Sequence, residues 1–251
     1  MKVVFLGTGG ARFVVMRQIR ASGGLWIEEK ETRLLLDPGP GSLIRILKSK
    51  QKLNPSKLSG IILSHRHLDH CSDVNIMIEA MTDGGFRKRG VLFAPGDALE
   101  DDPVVFRYVR EYLEKVEVLE EGKRYKIKDV EFETPVKHIH GVETYGFNFY
   151  VNGGCRLSII TDTAYFDELP SFYPAPVLIV HVVRKEPSPE ILHLSIPDVE
   201  KIIERTKADR IILTHFGMTL LKEKPWKVAE ELSKRYGKEV TAAHDGMVLS
   251  C

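Results

Sequence analysis

The chain has 251 residues, 43% of them hydrophobic, with 36 Lys plus Arg against 35 Asp plus Glu. That length can bury a full core as one α/β domain over residues 1–251, and a net charge of +1 offers no global field for a polyanion or a membrane surface. The opening run Met1-Lys2-Val3-Val4-Phe5-Leu6-Gly7 is short for a signal peptide and no later run approaches a membrane span, which predicts a cytoplasmic protein whose Cys71, Cys155 and Cys251 are reduced thiols.

In chain order, the apolar runs predict strands at Val3 to Leu6, Gly24 to Ile27 and Arg33 to Leu36. Asp37-Pro38-Gly39-Pro40-Gly41 breaks the third before a helix over 42–49. A strand at Gly60 to Ser64, a helix over 72–82, a strand at Val91 to Ala94 and a helix over 103–114 follow. The second half reads as strand-rich, with strands near 116–119, 130–137, 145–151, 156–161, 177–183, 210–214, 239–243 and 247–250. Helices over 197–206 and 225–236 complete the pattern, and no repeat or linker divides it.

The nine histidines carry the functional signal. None precedes residue 65, and most stand at or just beyond the end of an apolar strand. Ile61-Ile62-Leu63-Ser64 delivers His65, and the strand over Phe132 to Val136 delivers His138 and His140. Leu157 to Thr161 delivers Asp162, and Ile211-Ile212-Leu213-Thr214 delivers His215. Strands fix a backbone while the loops beyond their ends present side chains to a shared cleft.

His65-Arg66-His67-Leu68-Asp69-His70 packs four possible metal ligands into six residues. As a buried segment without a cation it would be costly, because each imidazole or carboxylate would need its own polar partner. Neutral imidazole and carboxylate suit Zn²⁺, Mn²⁺ or Fe, and a carboxylate can serve two ions. The pattern therefore points to a metal centre.

That run resembles the signature of the metallo-β-lactamase superfamily, with Asp162 and His215 following in the family's order. Phe5-Leu6-Gly7-Thr8-Gly9 and Leu35-Leu36-Asp37-Pro38-Gly39 resemble the opening of its tRNase Z-like and cyclic-phosphodiesterase branches. The resemblance implies an α/β fold of four layers, an αβ/βα sandwich with the site at one edge of the two sheets. It implies two divalent ions, zinc first, with His65, His67 and His140 holding one, Asp69, His70 and His215 the other, and Asp162 between them. His140 is preferred to His138 because its interval to Gly146 resembles that of tRNase Z-like proteins, which leaves His138 a supporting residue.

His193-Leu194-Ser195, ahead of a helix that Ser195 can cap, resembles a motif that phosphodiesterase branches use for proton donation or phosphate anchoring. His181 lies near where the tRNase Z pattern carries a His-Glu pair, but Val182 stands in place of the glutamate. His181 thus reads equally as a buried structural histidine and as part of the site. His244-Asp245-Gly246 reads equally as a cleft wall and as a turn before the last strand. Arg87-Lys88-Arg89, Arg12, Arg17 and Arg20 read as surface. Gly7-Thr8-Gly9-Gly10 lacks the third glycine of a dinucleotide fingerprint, Arg12 standing there.

The expected chemistry is hydrolysis by a hydroxide held between two metals, with Asp69 orienting the nucleophile and His193 opposite it. The substrate class implied is a phosphodiester: a nucleotide, a cyclic phosphate or an RNA end. The net charge does not indicate a nucleic-acid partner, and no membrane partner is expected. The alternatives are a thioester or lactone hydrolase on the same centre, or a metal-binding sensor without turnover.

Overall fold

Side chains alternate along each strand, and here that alternation sets the layers. In β1 (Lys2–Phe5), Val3 and Phe5 join one apolar cluster while Val4 joins another. The computed structural model describes residues 1–251. After β1 come β2 (Leu25–Glu29), β3 (Thr32–Leu36), β4 (Gly60–Ile62), β5 (Val91–Ala94) and β6 (Lys115–Val118). A second series holds β7 (Lys123–Ile127), β8 (Val130–Thr134), β9 (Phe147–Val151), β10 (Gly154–Ile160), β11 (Val177–His181), β12 (Arg210–Thr214) and β13 (Glu239–Ala242). Finally β14 (Val248–Ser250) returns to pair with β1.

The first sheet has the order β14-β1-β2-β3-β4-β5-β6 and the second β13-β12-β11-β10-β9-β8-β7. Between them, Val3, Phe5, Leu34 and Leu36 meet Phe132, Phe147, Ile159 and Ile212 in one buried cluster. The outer face of the first sheet packs Leu35 and Ile61 against α1 (Val74–Thr82), whose Val74, Met77, Ile78 and Met81 recur at helical spacing. The outer face of the second packs Leu178, Val180 and Leu213 against α2 (Ile196–Arg205) and α3 (Pro225–Tyr236). Helix, sheet, sheet and helix make the four-layer αβ/βα sandwich.

Strand direction then places the site. In the second sheet β10, β11 and β12 are parallel, and β8 runs with them because two antiparallel pairings separate it from β10. In the first, β3 and β4 are parallel and β1 shares their direction through β2. These strands all end toward one rim.

The structure differs from the sequence pattern at a few elements. The helix expected over 103–114 shrinks to Arg107–Arg110. Pro103 lacks an amide donor, and side chains take the nearby carbonyls: Arg110 binds Leu99 O at 2.7 Å and Val105 O at 2.6 Å, and Asn75 binds Val104 O at 2.9 Å. The strand β7 was not expected, because three of its five residues are basic, yet Tyr125 and Ile127 alternate into the core. Short helices at Arg12–Arg17 and Met218–Lys222 also escape the periodicity. Ser195 does cap α2, as expected, its amide and hydroxyl meeting the Asp198 carboxylate at 3.0 and 2.6 Å. No helix is long and apolar enough to cross a membrane, and all three cysteines are free.

Phe132 is fully buried, with Phe93 at 4.9 Å and Tyr125 at 5.1 Å between ring centres. Phe132→Ala is expected to cost about 3–5 kcal/mol in urea unfolding. A loss near zero would mean that the space between the sheets is not close-packed.

Candidate metal centre

The strand β4 carries three apolar residues into the core, and the chain beyond it turns at Ser64 and His65 toward the rim. His67 precedes a single helical turn, Leu68–Cys71, which presents Asp69 and His70 from successive positions. The loop after β8 brings His140, the loop after β10 brings Asp162, and β12 ends one residue before His215. In β12 Ile211 and Leu213 face outward, so a simply extended His215 would do the same; its φ of 61° turns it back to the rim. Gly10 makes room for it, since a Cβ there would lie 2.1 Å from His215 Nδ1.

Two groups of ligand-type atoms result. His65, His67 and His140 form the first, with His67 Nδ1 3.0 Å from His140 Nε2. The second gathers Asp69, His70 and His215: His215 Nε2 is 3.0 Å from His70 Nε2 and 3.3 Å from Asp69 Oδ2. Asp162 stands between the groups. Its Oδ2 is 3.3 Å from His70 Nε2, 3.7 Å from His140 Nε2 and 3.9 Å from His65 Nε2.

The donors fit divalent ions. His65 Nε2 is buried without a hydrogen-bond partner, aimed at the same space as its neighbours. A tetrahedral zinc with bonds of about 2.0–2.1 Å sets its ligand atoms roughly 3.3 Å apart, close to the separations above. His65, His67, His140 and Asp162 would hold one ion, and Asp69, His70, His215 and Asp162 a second. His70, Asp162, His181 and His215 also lie close enough to share an ion, as do His140, Asp162 and His193.

Charge in the site follows from this crowding. Burial by itself would raise the Asp69 carboxyl, but His70 and His215 beside it hold it well below the usual range. Burial opposes a proton on His70, yet Asp69, Asp162 and Asp37 raise it well above an ordinary imidazole. Burial, and then His70, keep His65 neutral.

Residues behind the ligands orient them. Asp37, at φ 54° after β3, accepts from the Ser64 amide at 2.6 Å and from the Ser64 hydroxyl at 2.6 Å, and its Oδ2 lies 2.9 Å from His70 Nδ1. The Leu192 carbonyl is 2.8 Å from His140 Nδ1. The Asp-Pro-Gly break after an apolar strand carried the signal for Asp37, but nothing in its spacing named His70 as the partner. His138 is directed away from the ligand atoms: it meets Tyr173 Oη at 2.5 Å and Asp162 O at 3.2 Å, and burial pushes it down to about 3.

The remaining candidates separate cleanly. His193 Nδ1 is buried, unpartnered and 3.6 Å from Asp162 Oδ2, with its ring 4.7 Å from that of His140. His181 Nδ1 is 3.1 Å from Asp162 Oδ1, and its ring stacks on His215 at 4.6 Å. His244 is exposed, whereas Asp245 accepts from Thr8 N, Thr8 Oγ1 and Ala21 N at 2.7–2.9 Å and so ties down the opening loop. Arg20 joins that clamp through Thr8 Oγ1 and Ala243 O. Arg87 pairs with Asp83, Arg89 binds Ser56 O and Leu58 O, and Arg12 and Arg17 are exposed.

A family profile described as the Beta-lactamase superfamily domain matches residues 32–216. The chain belongs to the metallo-β-lactamase superfamily. It is 32% identical to an uncharacterized protein of Methanocaldococcus jannaschii over 98% of this chain and 94% of that one. A ribonuclease Z of Thermococcus sibiricus is 27% identical over 61% of this chain and 48% of its own. The metallo-β-lactamase fold protein YhfI of Bacillus subtilis superposes with a TM-score of 0.80 at 20% identity, covering 99% and 98% of the two chains. The superfamily is one of metal-dependent hydrolases, and the His/Asp groups above are this chain's candidate metal site.

An ion held by the folded state alone stabilises it, by about 4 kcal/mol at a thousandfold excess over its dissociation constant. For a chain of this length that corresponds to about 8–16 °C, at roughly 2–4 °C per kcal/mol, lost on chelation. Because the ion must expel the proton from His70, the chelator-sensitive increment should shrink as pH falls. Melting curves with and without chelator, from neutral to acid pH, check both; an increment that grows on acidification would contradict the assignment of His70.

Proposed function

We propose that this protein is a metal-dependent phosphodiesterase acting on a nucleotide, a cyclic phosphate or an RNA-type phosphodiester, with zinc as the first candidate among zinc, manganese and iron. The observation that carries the reading is His193. It is an imidazole beside Asp162 and His140, additional to two groups that already supply four donors each. The likeness to a ribonuclease Z supports the same class of bond.

When bound, divalent ions supply a water of lowered pKa and positive charge for the phosphoryl oxygens. Asp69 Oδ2 lies 3.3 Å from His215 Nε2 and accepts from the Ala11 amide at 3.2 Å, which fixes the carboxylate where it can accept from an attacking water and set its lone-pair direction. His193 meets the substrate from the side of His140. In the free protein burial pushes it down to about 4, and Asp162 opposes that shift. An anionic phosphoryl group arriving beside it favours its protonated form, which then donates to a phosphoryl or leaving oxygen.

Protein loaded separately with Zn²⁺ and Mn²⁺ is expected to hydrolyse bis(4-nitrophenyl) phosphate, and Asp69→Ala to abolish turnover. No hydrolysis with either metal would remove the phosphodiesterase reading, and full activity in Asp69→Ala would remove the role given to Asp69.

Proton donation matters most for a poor leaving group. His193→Ala should therefore lower kcat by about 10²–10⁴-fold on an alkyl or nucleoside phosphodiester. It should act much less on the 4-nitrophenyl ester, with metal content unchanged. Equal losses on both esters would exclude a proton donor, and loss of one metal equivalent would make His193 a ligand instead.

A further inference from the structure

The strand β11 alternates Val177, Ile179 and His181 toward the space between the sheets, with Leu178 and Val180 outward. His181 is thus the rim-most residue of an otherwise apolar face, and a polar side chain there needs a partner. It has one on the protein: Nδ1 lies 3.1 Å from Asp162 Oδ1. The same carboxylate turns its other oxygen, Oδ2, toward His65, His70 and His140, while Oδ1 also lies 3.3 Å from His215 Nδ1.

We propose that His181 is a positioning residue for the metal centre: by donating from Nδ1 to Asp162 Oδ1, it leaves Oδ2 as the single oxygen that both ions share. This rests on the two-ion reading of the site. A carboxylate free to rotate could offer one oxygen to each ion or both to one. Occupying Oδ1 with a donor removes those choices, and the flat stack on His215, at 4.6 Å and 2° between rings, holds the imidazole in its plane. The hydrogen bond thus acts on both groups at once.

The Asp162 carboxylate can only accept at Oδ1, so the contact requires the tautomer that carries the proton on Nδ1. His181 makes no other hydrogen bond.

The test compares His181→Phe, which keeps an aromatic ring over His215 but has no donor, with His181→Asn, whose amide nitrogen takes the place of Nδ1. Affinity for each equivalent of Zn²⁺ is measured by chelator competition, and Co²⁺-loaded proteins are compared by visible absorption, on variants whose circular dichroism matches wild type. The expected result is two equivalents in wild type, an affinity about 10–100-fold lower for one of them in His181→Phe with an altered Co²⁺ spectrum, and recovery of both in His181→Asn. Wild-type affinity and spectrum in His181→Phe would overturn the proposal, as would equal losses in the two variants, which would make His181 a packing residue or a direct ligand; both leave the two-ion reading standing. A wild-type protein that takes up a single equivalent would overturn both, since no oxygen would then be shared.

Discussion

One oxygen atom, Asp162 Oδ2, lies within 4 Å of nitrogens from His65, His70, His140 and His193. Taking that carboxylate out of water opposes its charge, yet His215, His193 and His70 hold its proton affinity well below the ordinary range. The folded chain therefore presents a fixed anion among imidazoles that face one another without protons enough to bond them all. Cations relieve that conflict, and the sandwich holds the donors ready for them.

The sandwich can hold them because its strands end together and the loops beyond those ends are tied down. Asp37 braces Ser64 and His70, the Leu192 carbonyl braces His140, and Asp245 fastens the opening loop that passes under His215. Some of these positions hold conformations that the backbone disfavours, with Asp37 at φ 54° and His215 at φ 61°. Their cost, on the order of 1–3 kcal/mol each, is offset by apolar burial in three clusters, one between the sheets and one on each outer face. Stability thus comes mainly from residues such as Phe132 and Met77, remote from the chemistry, while the rim carries the strain.

Much of this layout is legible in the amino-acid order because two periodicities and one density carry it. Strands such as Ile211 to Thr214 read as buried runs, and α1 reads as a helix from Val74, Met77, Ile78 and Met81. The run from His65 to His70 is legible because four potential ligands in six residues have no cheap structural use. Less legible are elements governed by tertiary partners, as at 103–114, where Arg110 and Asn75 take carbonyls a helix would use. His181 is the clearest case: a histidine ending an apolar strand looks alike whether it braces a carboxylate or merely fills space, and only the distance to Asp162 Oδ1 separates the two.

The valine at 182 shows how the same geometry limits the chemistry. Val182 is buried in the outer cluster with Val180, Ile202 and Leu213, so position 182 faces the helices while position 181 faces the centre. In this backbone a glutamate at 182 would be set among apolar side chains, at a desolvation cost. The carboxylate nearest His193 Nδ1 is instead Asp162, at 3.6 Å. The residue that lies between the two ligand groups thus also favours the proton on His193, and in the proposed mechanism this couples ion binding to proton donation. His181, by holding the far oxygen of that carboxylate, stands one hydrogen bond from both.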